Sequence, residues 1–289
     1  MKKISLLFLF LTISIILTIN PFTRASPILN LSVETSKPSY YIGEYVYVYG
    51  NLTEDGTPIQ DSLVALEVDG PYATLVVRTL MTNMTPIANW LFNVTDVTPC
   101  DQNGNPKETF RKGALAYFNV TVKNNDIEMR QTLVTVNVYE SNQAPLGVSS
   151  WEGVVQENST FSVIMGFPIS KTAEAGIATV YANAYSGWPR IGGKPYCPEK
   201  SKTFEIIDGS TQAGVKTLYE QEGNYNTTFK LSSDEPLGTY TVHVASMYNW
   251  QTAYNSTQFE VTVQGDANGD GTVDGSDFFI LLQNWGYGA

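Results

Sequence analysis

The stretch Ala116-Tyr117-Phe118-Asn119-Val120-Thr121-Val122 decides the fold class. Ala116, Phe118, Val120 and Val122 share one parity and Tyr117, Asn119 and Thr121 the other, which is the period of a strand with one face on a core. The pattern recurs where Val134, Val136 and Val138 alternate with Thr135 and Asn137, and where Tyr240, Val242 and Val244 alternate with Thr241 and His243. In each run the polar members are expected to face solvent. From Ser26 to about Gln264 such runs are separated by Gly, Pro and Asn turns, with no helical periodicity. The expected fold is all-β, built from immunoglobulin-like sandwiches.

Composition agrees. The chain of 289 residues is 43% hydrophobic and 12% aromatic with only 16% charged residues, which argues against disorder and against a coiled coil. The net charge is −11 and becomes −14 without the leader cations Lys2, Lys3 and Arg24. Such a surface repels nucleic acid and anionic membrane and attracts cations. A single histidine, His243, leaves no material for a His-rich metal site and reads as a surface side chain. No G-x-S-x-G, H-E-x-x-H, P-loop or dinucleotide fingerprint occurs, so the chain is expected to be non-enzymatic, with no catalytic residues.

A sandwich needs on the order of 100 residues to close two sheets over one core. Residues 26–84 and 208–264 are each shorter than 60 residues, whereas 85–207 number 123 and hold both cysteines. The division that follows is a leader over 1–25, the first half of one sandwich over 26–84, a second sandwich inserted over 85–207, the rest of the first over 208–264, and a separate segment over 265–289.

Lys2 and Lys3 precede the apolar run from Ile4 to Ile19, and Thr23-Arg24-Ala25 offers a small residue before a cut at Ser26. This reads as a secretory signal peptide, implying an extracellular or cell-surface protein without a stable membrane span after cleavage, the alternative being an uncleaved membrane anchor, since the run is only slightly short of a spanning helix. Eight sequons, at Asn30, Asn51, Asn83, Asn93, Asn119, Asn158, Asn226 and Asn255, exceed what 21 asparagines would give by chance and predict a glycosylated surface. Cys100 and Cys197 are the only cysteines; an even pair in an exported chain most simply forms one disulfide, the alternative being two free thiols.

The run Asp266-Ala267-Asn268-Gly269-Asp270-Gly271-Thr272-Val273-Asp274-Gly275-Ser276-Asp277 fits D-x-[DN]-x-[DN]-G-x5-[DE] at every constrained position. A hard cation needs six to eight oxygens, and a 12-residue loop wraps them round one Ca2+ ion. Side chains of Asp266, Asn268, Asp270, Asp274 and Asp277 and the Thr272 carbonyl are the expected ligands. Phe278, Leu281, Leu282 and Trp285 then fall at helical spacing before Gly286. That stripe is expected to pack on the chain's own sandwich or on a partner.

Two loops are dense in aromatics: Tyr185-Ser186-Gly187-Trp188-Pro189-Arg190 with Tyr196, and Tyr248-Asn249-Trp250-Gln251 with Tyr254. Trp188, Tyr196, Tyr248 and Trp250 are candidate ligand-binding residues, suited to stacking on sugar rings or anchoring a protein, the alternative being ordinary loop packing.

Three resemblances follow from these residues. Thr35-Ser36-Lys37-Pro38-Ser39-Tyr40-Tyr41-Ile42-Gly43-Glu44-Tyr45-Val46 resembles the opening of macroglobulin-type immunoglobulin-like domains. The closing half of that family is matched only after the insert, by Phe229-Lys230-Leu231, Pro236-Leu237-Gly238-Thr239-Tyr240-Thr241-Val242 and Phe259-Glu260-Val261. The insert resembles adhesion-type modules of archaeal secreted proteins. Residues 265–289 resemble one repeat of a dockerin, an EF-hand-like unit, with Asp277 in the closing position; dockerins carry two repeats and bind cohesins. The resemblances imply a secreted calcium-binding protein in adhesion, cell-envelope architecture or extracellular binding, with a cell-envelope glycan or surface protein as partner. The alternative is an accessory module recruited through its dockerin-like tail to a cohesin-like receptor in a polysaccharide-degrading assembly.

Overall fold

The computed structural model describes residues 26–82, 90–208 and 224–284, with side chains as far as residue 280. The leader over 1–25, the Asn83 sequon, Trp285 and Gly286 lie outside the described residues, as do the side chains of Leu281 and Leu282.

The chain opens with β1 (Leu29–Leu31), β2 (Glu34–Thr35), β3 (Ser39–Tyr41), β4 (Tyr45–Glu54), β5 (Thr57–Pro58), β6 (Leu63–Asp69) and β7 (Thr74–Met81). There follow β8 (Phe92–Cys100), β9 (Thr109–Arg111), β10 (Leu115–Asn124), β11 (Arg130–Tyr139), β12 (Pro145–Val155), β13 (Thr160–Pro168), β14 (Gly176–Tyr185) and β15 (Lys200–Ile207). It closes with β16 (Asn224–Lys230), β17 (Gly238–Tyr248), β18 (Gln251–Thr262) and one helix, α1 (Gly275–Asn284). Among the described residues the fold is all-β apart from that helix and a 3-10 turn at Pro189–Ile191. No described helix is long and apolar enough to cross a membrane.

Strands from the two ends of the chain pair with each other. β16 lies antiparallel to β4, and β17 lies between β6 and β18, so the sheets β1-β4-β16 and β3-β18-β17-β6-β7 join residues separated by the whole insert. They close over a core that includes Val46, Val48, Leu66, Val68, Phe229, Tyr240 and Phe259. β8 to β15 form two sheets of their own, β13-β10-β8 and β12-β11-β14-β15-β9, over a core that includes Phe110, Phe118, Val136, Phe167 and Phe204. One sandwich is thus inserted in the other. Both use the same closing device, a short early strand parallel to the last one: β3 beside β18 and β9 beside β15.

The opening turn has a plain cause. Gly43 takes φ +81° and Glu44 N–H donates to the Tyr41 carbonyl at 3.0 Å, a turn that a side chain at Gly43 would strain. Tyr240 is fully buried with its hydroxyl on the Pro236 carbonyl at 2.8 Å, which ties the start of β17 to the core.

Parity along β10 is as the sequence predicts: Ala116, Phe118, Val120 and Val122 are fully buried and Tyr117, Asn119 and Thr121 are not. Along β11 it differs, because Thr135 and Asn137 are as buried as the valines between them. The cause is the outer sandwich. β7 is an edge strand, and its free edge meets the insert instead of water. Asn137 Oδ1 accepts from Val77 N at 3.1 Å while its Nδ2 donates to the Leu75 carbonyl at 3.3 Å and the Gly147 carbonyl at 2.8 Å. Asn183 Nδ2 reaches the Val77 carbonyl at 3.4 Å, and Glu199 accepts from Thr79 N at 3.2 Å. Side chains of the insert therefore stand in for the missing neighbour strand, satisfying groups that would otherwise be buried unpaired. Glu199 also grips Arg78 through two hydrogen bonds of 2.8 and 2.5 Å, and the Arg78 guanidinium lies 3.6 Å from the Tyr181 ring centre.

Cys100 and Cys197 are both buried and both free, which corrects the expected disulfide. The Cys197 thiol meets the Val94 backbone, whereas Cys100 ends the same strand six positions on. At ~3.3 Å per residue that separation is on the order of 15–20 Å, far beyond disulfide reach. Burial pushes the Cys197 thiol up to about 12, so both sulfurs serve as core side chains.

Candidate functional site

A cleft of about 550 Å3 opens where the two sandwiches diverge, within the ~300–1,000 Å3 range of small-ligand sites. The outer sandwich supplies the residues just before β6 and the β17–β18 hairpin. The insert supplies the start of β8, the β10–β11 loop and the loop before β15. Three of the four aromatic candidates, Tyr196, Tyr248 and Trp250, line it together although they come from different sandwiches. Phe92 supports Tyr196, ring centres 5.2 Å apart, and the Tyr196 hydroxyl donates to the Gln131 carbonyl at 2.8 Å.

The hairpin tip is unusual. Tyr248 pairs with Gln251, so only Asn249 and Trp250 form the turn, at φ +47° and +65°. This is the two-residue hairpin geometry whose second place is normally glycine. A tryptophan in the left-handed region is strained by about 1–2 kcal/mol, and Trp250 is also 82% exposed. An exposed indole on a strained tip gains nothing for the fold; conformational strain of this kind gathers at working sites.

The polar groups of the cleft divide evenly. Arg130 is held by Asp126 through Nε at 2.8 Å and a second guanidinium nitrogen, with Glu128 3.3 Å away. That hydrogen bond holds the Asp126 carboxyl below the usual carboxylate range, and Asp126 in turn raises Arg130. Lys194 and Asp61 add one charge of each sign, and the Lys194 ammonium has no partner among the described residues. Sequence reasoning missed Trp90, Phe92, Asp126, Arg130 and Lys194. Only Lys194, two residues from Tyr196, carried a local signal.

Trp188 is elsewhere. Its Nε1 donates to Glu152 Oε1 at 2.7 Å, Arg190 lies 4.4 Å over its ring, and it packs beside Ala65, Val77, Leu133 and Tyr185 at the contact between sandwiches. Arg190 also binds Glu67, a fully buried carboxylate that accepts from the Arg190 backbone N–H at 2.7 Å and from its guanidinium. Burial outweighs these contacts and pushes Glu67 up to about 7. His243, expected on the surface, is largely covered: Nδ1 is 2.7 Å from the Tyr254 hydroxyl and Nε2 is 3.7 Å from Asp69, and burial lowers its pKa.

The 266–277 loop is curled by its own carboxylates. Asp266 accepts from Gly269, Asp270 and Gly271 N–H at 2.7, 3.2 and 2.8 Å, with Gly269 and Gly271 at φ +76° and +86°. Asp277, 1% exposed, accepts from Ala267, Asn268 and Asp274 N–H at 2.7, 3.1 and 2.7 Å. The Thr272 hydroxyl and N–H hold Asp270 below the usual range, and the Asp274 N–H does the same for Asp277. Among the described residues no three His, Cys, Asp or Glu side chains gather closely enough to hold a metal ion. The donor set of Asp266, Asn268, Asp270, Thr272, Asp274 and Asp277 is all oxygen, the chemistry that suits a hard cation such as Ca2+. Gly271 rests against Leu237 of the sandwich, yet Phe278 and Phe279 are 59% and 64% exposed. The helix therefore does not seat Phe278 on its own sandwich.

Of the sequons, Asn30, Asn51 and Asn158 are exposed, and Asn93, Asn119 and Asn226 are half-buried. Asn255 is exposed but its Nδ2 donates to the Leu31 carbonyl at 2.9 Å.

No protein-family profile matches the chain, and no curated protein is significantly similar. Solved structures give partial likenesses. An alkylpurine DNA glycosylase of Pseudomonas fluorescens bound to abasic-site DNA is 9% identical over 42% of this chain and 31% of its own, at a TM-score of 0.30. A β-glucosidase of intestinal bacteria involved in saponin metabolism is 12% identical over 43% and 17%, at 0.30. The C-terminal domain of Wzt is 9% identical over 46% and 85%, at 0.36. The chain spans less than a third of the first two, and scores this low carry no functional argument.

Proposed function

We propose that this is a non-enzymatic extracellular or cell-surface binding protein, acting in adhesion or cell-envelope architecture, whose ligand site is the cleft between the sandwiches. The observation that carries the reading is Trp250, strained at φ +65° and 82% exposed at the lip of that cleft. The leader and sequons support export, and glycans would sit best on Asn30, Asn51 and Asn158. Trp250→Gly tests the site, because glycine suits the turn. Retention of the full chain on a cell-envelope fraction is expected to fall with Trp250→Gly while the melting temperature holds; equal retention would overturn the reading.

Ca2+ would be held by the 266–277 loop and contribute stability by binding only the folded form. Calorimetry is expected to give one site, lost in Asp266→Ala with Asp270→Ala; retained binding would refute it. The second reading, docking of the tail on a cohesin-like receptor, is favoured by the exposed Phe278 and Phe279 and requires calcium-dependent capture by such a receptor.

A further inference from the structure

We infer that the ligand of the cleft is a neutral oligosaccharide, an inference that rests on the cleft being the binding site. The lining charges cancel: Asp61 and Asp126 against Arg130 and Lys194. An anionic ligand would meet two carboxylates and a cationic one two cations. Arg130 and Asp126 already pair with each other, so a wholly apolar ligand would strip water from Asp61 and Lys194, which hold no ion-pair partner among the described residues, and that is costly.

A sugar hydroxyl donates and accepts at once, so a neutral polyhydroxylated ring satisfies both signs of group, with Asp61 accepting and Lys194 donating. Its C–H faces are apolar and flat enough to lie on an aromatic ring. Trp250, Tyr248 and Tyr196 supply such rings from both sandwiches. The exposure of Trp250 separates this from a peptide anchor. A hydrophobic side chain seeks an enclosed, desolvated pocket, whereas an indole 82% open on the rim offers one face to a chain lying across the cleft. An extended glycan fits that opening.

The test is a printed array of neutral and acidic glycans and aromatic-rich peptides, probed with the full mature chain, followed by calorimetry and tryptophan emission on the soluble form of each hit. A neutral oligosaccharide is expected among the hits, with a shift in emission, and weakened about tenfold or more by Trp250→Gly. Lys194→Ala is expected to weaken it severalfold without moving the melting temperature. Hits confined to acidic glycans or to peptides would overturn the saccharide assignment, and so would an array with no neutral hit. If envelope retention is still Trp250-dependent in those cases, the cleft stands and only its ligand class falls. If retention is also unaffected by Trp250→Gly, the binding reading falls with it.

Discussion

The contact between the two sandwiches is closed at one end and open at the other. At the closed end β7 lays its free edge against β11, β12 and β14. Its backbone groups are taken up by Asn137, Asn183 and Glu199, and Arg78 is clasped between Glu199 and the Tyr181 ring. At the open end the same two sandwiches part, leaving an exposed tryptophan in a strained turn and a lysine ammonium without a partner among the described residues. The β7 backbone groups and the Arg78–Glu199 pair are answered within the chain and hold the joint, although Thr135 Oγ1, Tyr139 OH and Asn183 Oδ1 stay buried there without a hydrogen bond among the described residues. Groups left unanswered at a concave surface cost stability and are retained where something else answers them.

The sharpest way to break the comparison is to unmake the closed end. Glu199→Ala leaves Arg78, whose side chain is 13% exposed, without its counter-charge and strands the Thr79 N–H. A loss of about 3 kcal/mol in urea unfolding is expected. Asn137→Leu keeps the branched outline but orphans Val77 N–H and the Leu75 and Gly147 carbonyls, for an expected loss of about 2 kcal/mol.

Glu67 gives an effect that depends on pH. Its folded pKa, about 7, lies above its unfolded value of about 4.3, so the native state holds the extra proton between the two. This contribution is complete below about 4.3 and is lost as pH rises through about 7, with a slope of at most about 1.4 kcal/mol per pH unit. Asp69, Arg190 and His243 face the same carboxyl region, so the diagnostic is Glu67→Gln, which should flatten melting temperature between pH 5 and 8. Trp250→Gly should give the smallest change and the opposite sign. Relief of the left-handed strain, offset by the chain entropy of glycine, leaves stability unchanged or raised by up to about 1 kcal/mol in thermal melts. A marked loss would mean that Trp250 serves the fold.

How much was legible depended on distance along the chain. The parity of β10 could be read because seven consecutive residues carry it and its outward face stays uncovered. Thr135 and Asn137 misled because β11 is buried on both faces, which a polar residue signals only when the partner edge is known. The cysteine pair suggested a staple from its even count, yet pairing depends on where along β8 each sulfur falls. The aromatic loops stood out, but that Tyr196 and Tyr248 meet while Trp188 turns into the joint could not be read from either loop.

By itself the sequence determined the all-β class, the strand parities with one covered face, the interrupted outer sandwich and the contiguous oxygen-rich loop. Each is a local pattern of residue type against a backbone period, or a length set against the size of a closed core. Only the tertiary structure decided the joint, the free thiols and the cleft. These are meetings of side chains from distant segments, and hydrogen bonds and packing form between groups that are near in space whatever their separation along the chain.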